Sequence, residues 1–126
     1  FYRWRKAGVW QHVLSALQQQ ADAVRELEWQ VHHIDSSVIR AHQHAAGAKG
    51  GSPETEALGR SHGGFSTKIH LRVEGNGKPM VIRLTAGQRH EATEFEPLMA
   101  QGEVKRLGPG RPKVRPLRVV GDKAYS

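Results

Sequence analysis

Asp35 and Asp122 stand apart among the twelve acids of this 126-residue chain. Asp35 closes the stretch "VHHID" and Asp122 follows "RVVG", so each comes at the end of an apolar, strand-like run. The other acids fall in helix-like, turn or loop stretches, where a solvated carboxylate costs nothing. An aspartate at a strand end has two readings. It can cap a turn by accepting backbone N–H groups. Two of them carried side by side can instead hold a hard divalent cation through oxygen, and phosphoryl transfer uses such carboxylates to hold a pair of ions. Spacing alone leaves both readings open.

Other groups able to do chemistry are more ambiguous. His32, His33, His42 and His44 could suggest a transition-metal site, although strand or surface imidazoles explain them as well. "LGRSHGG" offers backbone amides with Arg60 and Ser61 for a phosphate, but it lacks the "GK[ST]" ending of a P-loop, so ATP is not indicated. Turn formation accounts for its glycines equally well. In "QRHE", Glu91 and Glu94 fit the start of a helix, near its N-terminal dipole. "KRLGPGRPKVRP" reads as a phosphate-tracking loop or a solvated linker.

The elements that must position these residues follow from periodicity. Apolar residues at Trp10, Val13, Leu14, Leu17, Ala21, Val24 and Leu27 predict a helix over 8–27, with Gln18 to Gln20 on its outer face. Alternation predicts a strand from about Trp29 that ends near Asp35. The stretch 43–64 is rich in glycine and reads as a long loop, with one helical turn around Glu54 to Leu58. "FSTKIHLRV" and "PMVIRLTAG" flank an Asn-Gly turn and predict a β-hairpin. A short helix with Phe95, Leu98 and Met99 inward should follow. "LRVVGD" supplies a last strand, apolar on both faces as in a buried sheet. The order α, β, loop, hairpin, α, β indicates an α/β or mixed sheet.

Composition bounds the possibilities. A net charge of +7 and a pI near 10.3 suit a polyanionic partner such as nucleic acid, or simply a basic soluble domain. Without cysteine, disulfides and thiolate zinc sites are excluded. No run approaches the roughly 18 apolar residues of a membrane span, so an intracellular protein is expected. Residue 1 is Phe, and a strand-like run closes the chain, so a longer parent protein is expected.

The blocks "HHIDSSVIRAHQHAAGAK", "LGRSHGGFSTKIHLRVEGNGKP", "LTAGQRHE" and "RVVGDKAYS" resemble, in order, those of bacterial insertion-sequence transposases of the DDE type, nearest the "IS-five" group. The resemblance implies an RNase H-like catalytic domain over 28–126, preceded at 1–27 by the end of an N-terminal helical region. It also implies that Asp35 and Asp122 are the first two catalytic, metal-binding acids. Two Mg²⁺ (or Mn²⁺) ions are expected in the complete enzyme. The third acid, a Glu on a later helix, has no counterpart in this chain, which alone is expected to be inactive. Ala124 stands where the family's "GDKGY" motif has glycine. DNA contacts are expected from Arg60, Ser61, Lys68, Arg111, Lys113 and Lys123, and the partners would be element ends and target DNA. The complete protein would be a homo-oligomer in the bacterial cytoplasm, associated with the nucleoid. A non-enzymatic DNA-binding or regulatory relic is the alternative.

Overall fold

The computed structural model describes residues 1–42, 44 and 56–125, with the Ser61 side chain left out. Much of the expected 43–64 loop, including part of the helical turn at 54–58, lies outside the described residues. The chain opens with two helices, α1 (Tyr2–Lys6) and α2 (Val9–Ala23). Gly8 separates them at φ +67°, a conformation that costs a residue without Cβ little.

The predicted single helix is thus shorter at its end, and its inward face differs. Ala21 and, beyond the helix, Leu27 reach the core, whereas Trp10, Val13, Leu17 and Val24 are exposed. Gln18, expected outside, is buried. Its amide donates to the carbonyls of Pro79 (2.9 Å) and Met80 (3.0 Å) at the start of a later strand, Pro79–Ala86. Satisfying those acceptors outweighs the apolar pattern, because an unpaired buried carbonyl is more costly than an exposed valine.

Four longer and shorter strands build on β1 (Val31–Arg40). It pairs antiparallel with β3 (Gly64–Glu74), which pairs antiparallel with β4 (Pro79–Ala86). The short β2 (Gly59–Ser61) takes the start of the same β3 edge. On the opposite side of β1, β5 (Arg118–Val120) runs parallel to it. The result is an α/β mixed sheet of RNase H-like type, preceded by an amphipathic helix. The hairpin forms where expected. β1 does not end near Asp35 but continues for five more residues, because Ser36 to Arg40 pair in unbroken register with Ser66 to His70.

Alternation gives the sheet one covered and one open face. His32, Ile34 and Ser36 of β1 lie over Glu74, Arg72 and His70 of β3. This face packs on α2, on α3 (Phe95–Ala100) and on Tyr125, around Ile34, Met80, Val81, Leu98 and Val104. Among the described residues eight buried polar ones accompany eight buried apolar ones, so hydrogen-bond satisfaction shapes this core as much as apolar area does. The other face carries His33, Asp35 and Ser37 beside Val73, Leu71 and Ile69, with Ile82 and Leu84 exposed beyond. β5 is correspondingly not buried on both sides. Val119 packs on the core, while Leu117 and Val120 are exposed, since β5 is an edge strand on a sheet covered from one side. No helix among the described residues is long and apolar enough to cross a membrane.

Candidate active site

The parallel ladder relates the two aspartates. Val31, His32 and His33 pair with Arg118, Val119 and Val120, a constant offset of 87, and 122 − 35 gives the same offset. Asp35 lies on the open face within β1, and Asp122 is exposed two residues past β5, beyond the paired residues. Each also makes a local bond. The Ser36 amide donates to Asp35 Oδ1 (2.7 Å), and the Ala124 amide donates to Asp122 Oδ1 (2.9 Å), capping the 3₁₀ turn Lys123–Tyr125. The turn-capping reading is thus correct for Asp122 as far as it goes. It does not exhaust either carboxylate, because no further hydrogen bond engages Oδ2 among the described residues. Between the strand and the aspartate, Gly121 lies so close to Ile34 that a Cβ there would sit 2.7 Å from Ile34 Cγ1.

Behind the aspartates, on the covered face, runs a line of polar groups. Lys68 Nζ meets Glu91 Oε1 at 3.0 Å, and Ser36 Oγ donates to the same oxygen at 2.7 Å. The Tyr125 hydroxyl meets His70 Nδ1 at 3.1 Å, and His70 Nε2 meets Thr85 Oγ1 at 2.9 Å. The Ser36 hydroxyl and Lys68 hold the Glu91 carboxyl below its ordinary range, so it is ionised. Burial holds the His70 imidazolium back and keeps the ring neutral. Burial foremost raises the Tyr125 hydroxyl, and the negative charges of Glu91, Asp35 and Asp122 push in the same direction.

The sequence pattern put Glu91 and Glu94 at a helix start, and they do occupy a 3₁₀ turn, Glu91–Glu94, ahead of α3. It missed what their carboxylates do. Glu94 is buried and pairs with Arg83 (2.8 Å) and Arg89 (3.2 Å), while Glu91 clamps β1 through Ser36. Strand parity could have flagged Ser36, Lys68 and His70 as sharing a face; nothing local pointed to Glu91 or Tyr125 as their partners.

The basic residues fall into two groups. Arg60 is exposed above the Phe65 ring (5.7 Å), and Arg111 and Lys123 are exposed on the connector and the last turn. Lys68 is committed to Glu91, and Lys113 to Asp22 (2.8 Å) with its ammonium over Trp29. Ser61 lies on β2. The histidines do not converge: His32 is buried on one face of β1 and His33 is exposed on the other. His42 and His44 stack on each other at 5.2 Å.

Among the described residues no group of three or more His, Asp or Glu is disposed to hold a metal ion. Asp35 and Asp122 are carboxylates, the oxygen donors that hard cations take. Mg²⁺ takes one or two protein carboxylates and fills its remaining positions with water and substrate phosphate.

A stretch of 49 residues is 50% identical to an uncharacterized protein of Sinorhizobium fredii, covering 39% of this chain and 34% of that protein's length. The chain thus matches about a third of that relative. No solved structure matches it. Residues 30–126, which include the whole sheet and both aspartates, match the transposase DDE domain family, and the chain belongs to that family.

Proposed function

We propose that this chain forms part of the catalytic domain of a DNA transposase, with Asp35 and Asp122 as metal-binding carboxylates. The observation that carries the reading is the shared register of β1 and β5, whose offset of 87 is that of the two aspartates. Family membership supports the reaction class, metal-dependent cleavage and joining of DNA strands. When bound, two Mg²⁺ or Mn²⁺ ions activate a water or 3′-hydroxyl and stabilise the leaving oxygen of an in-line displacement. The chain's own contribution is to present two carboxylates, one within β1 and one just past the parallel β5, each with one oxygen free of hydrogen bonds among the described residues. Tyr125 is buried with its hydroxyl engaged, so it serves as no nucleophile. No Glu within these residues is assigned as a third acid, since Glu91 and Glu94 are held in internal ion pairs. Arg60, Ser61, Arg111 and Lys123 are the candidate DNA contacts, and Lys68 and Lys113 contribute positive potential from paired positions. The DNA would be element ends and target, handled by a homo-oligomer at the bacterial nucleoid.

The test is excision of a marked element with the full reading frame supplied in trans. Asp35→Asn and Asp122→Asn should each reduce excision to background while binding to element-end DNA persists. Excision at the wild-type rate in either variant would refute the assignment. Binding without excision even in the wild type would leave the non-enzymatic DNA-binding role, which the +7 charge also suits.

A further inference from the structure

We propose that the loop 105–112, "KRLGPGRP", is a reader of the DNA minor groove, inserting Arg111 where the base pairs are A·T-rich. The proposal rests on the reading that DNA is the partner, and adds which groove and which sequence. No acid occurs between Glu103 and Asp122, whereas six cations do. Among the described residues none of Lys105, Arg106 and Arg111 forms an ion pair with a carboxylate. Arg106 feels Asp22 only at longer range. The base of the loop is nonetheless firmly mounted. Val104 is buried in the core, and its N–H and C=O exchange hydrogen bonds with Lys113 at 2.8 and 3.0 Å. Lys113 is held in turn by Asp22 at 2.8 Å, and the Trp29 indole N–H donates to the same Asp22 oxygen at 2.8 Å. Every residue between the two anchors is exposed.

The composition of the tip selects the groove. The major groove admits a helix or a two-stranded ribbon, whereas the minor groove is only about 6 Å wide. Gly108, Pro109 and Gly110 leave the tip without a long side chain, so little but backbone precedes Arg111. Gly110 stands at φ +130°, and a Cβ there would lie 3.2 Å from both Arg106 Cδ and Nη1. The Arg106 guanidinium thus comes across from the other arm of the loop to the residue before Arg111. Two cations share one tip, and no ion pair neutralises either. Pro112 biases Arg111 toward an extended backbone, which lowers the ordering cost of binding. A narrow A·T-rich minor groove carries enhanced negative potential, and its floor lacks the guanine N2 amino group. A guanidinium is more weakly hydrated than an ammonium, so Arg enters that groove at less cost than Lys.

The experiment is binding of the 126-residue chain to fluorescent duplexes of equal length, followed by anisotropy. One duplex has a central A·T tract, one a G·C tract, and one the same G·C tract with inosine for guanine. Inosine lacks the N2 amino group, so it joins the major groove of G·C to the minor-groove pattern of A·T. The chain should bind the A·T and inosine duplexes about ten-fold more tightly than the G·C duplex. Arg111→Lys keeps the charge and should cut that preference to about two-fold or less. Lys105→Gln should weaken binding to all three alike and lower the salt slope by about one. Both positions are exposed, so each variant should unfold in urea as the wild type does. Equal affinity for the three duplexes, or a preference that Arg111→Lys leaves intact, overturns the groove assignment while DNA binding stands. An A·T preference that inosine fails to reproduce points to the major groove and overturns it too. Binding to none of the three removes the DNA reading and this proposal with it. No readout depends on Asp35 or Asp122, so the groove and metal assignments fail separately.

Discussion

Glu74 is the side chain whose replacement should cost the fold most for the smallest change in shape. It is fully buried at the end of β3. Its Oε2 accepts the Glu28 amide at 2.7 Å, tying the chain that enters β1 to the sheet. Its Oε1 accepts the Lys78 amide at 2.9 Å, closing the hairpin turn. Glu74→Gln preserves size but offers one acceptor and one NH₂ group, so one of the two amides faces another donor. Losing a charge-assisted bond costs ~1.5–3 kcal/mol, and a buried donor left without an acceptor adds to it, for a total of ~2–4 kcal/mol. Against the ~5–15 kcal/mol that holds a typical domain together, that is a large fraction. Urea unfolding followed by tryptophan fluorescence, with Trp29 close to the site, should show the midpoint falling by ~1–2 M, given slopes of ~1–3 kcal/mol/M. A shift below ~0.3 M at unchanged slope would refute the role given to Glu74.

Two further outcomes can be checked in the same assay. Burial holds His32 and His70 below the ordinary imidazole value of 6.5. The native state then binds fewer protons than the unfolded one, so stability is complete above pH 6.5 and falls as pH drops below it. Glu91, with its pKa lowered by Ser36 and Lys68, adds stability present above 4.5 and lost as pH falls through its lower native value. A midpoint that stays flat from pH 7 to pH 5 would contradict the histidine part. Gly121→Ala must displace Ile34, since the new Cβ would sit 2.7 Å from Cγ1 and 3.1 Å from Cδ1. It should cost ~1–3 kcal/mol. Unfolding indistinguishable from wild type would show that Ile34 moves aside freely.

The parts of the fold that were readable from sequence are those set by local pattern. The hairpin carried strict alternation over "FSTKIHLRV" and an Asn-Gly turn, and both strands formed within a residue of expectation. The aspartates were singled out because apolar runs end in so few acids in a basic chain. What sequence did not disclose depends on partners far along the chain. Gln18 is turned inward by carbonyls 61 and 62 residues away. β1 extends past Asp35 because β3 supplies a matching edge, not because Ser36 and Ser37 favour strands. The Ser36–Glu91 and His70–Tyr125 contacts each span 55 residues, and no window short enough to show periodicity contains both partners.

The open sheet face has an electrostatic consequence. Asp35 shares its row with Leu71 and Ile82, and the next row brings Ile69 and Leu84. Exposed to bulk water, two carboxylates in such surroundings attract a divalent ion weakly, since solvent screens each charge. A layer seated on those apolar rows would exclude water and lower the local dielectric around the same oxygens. The attraction at a given distance grows several-fold as the effective dielectric drops from ~80 toward ~20. Covering the face would therefore do more than complete a core: it would set how tightly the proposed aspartate pair could hold a divalent ion.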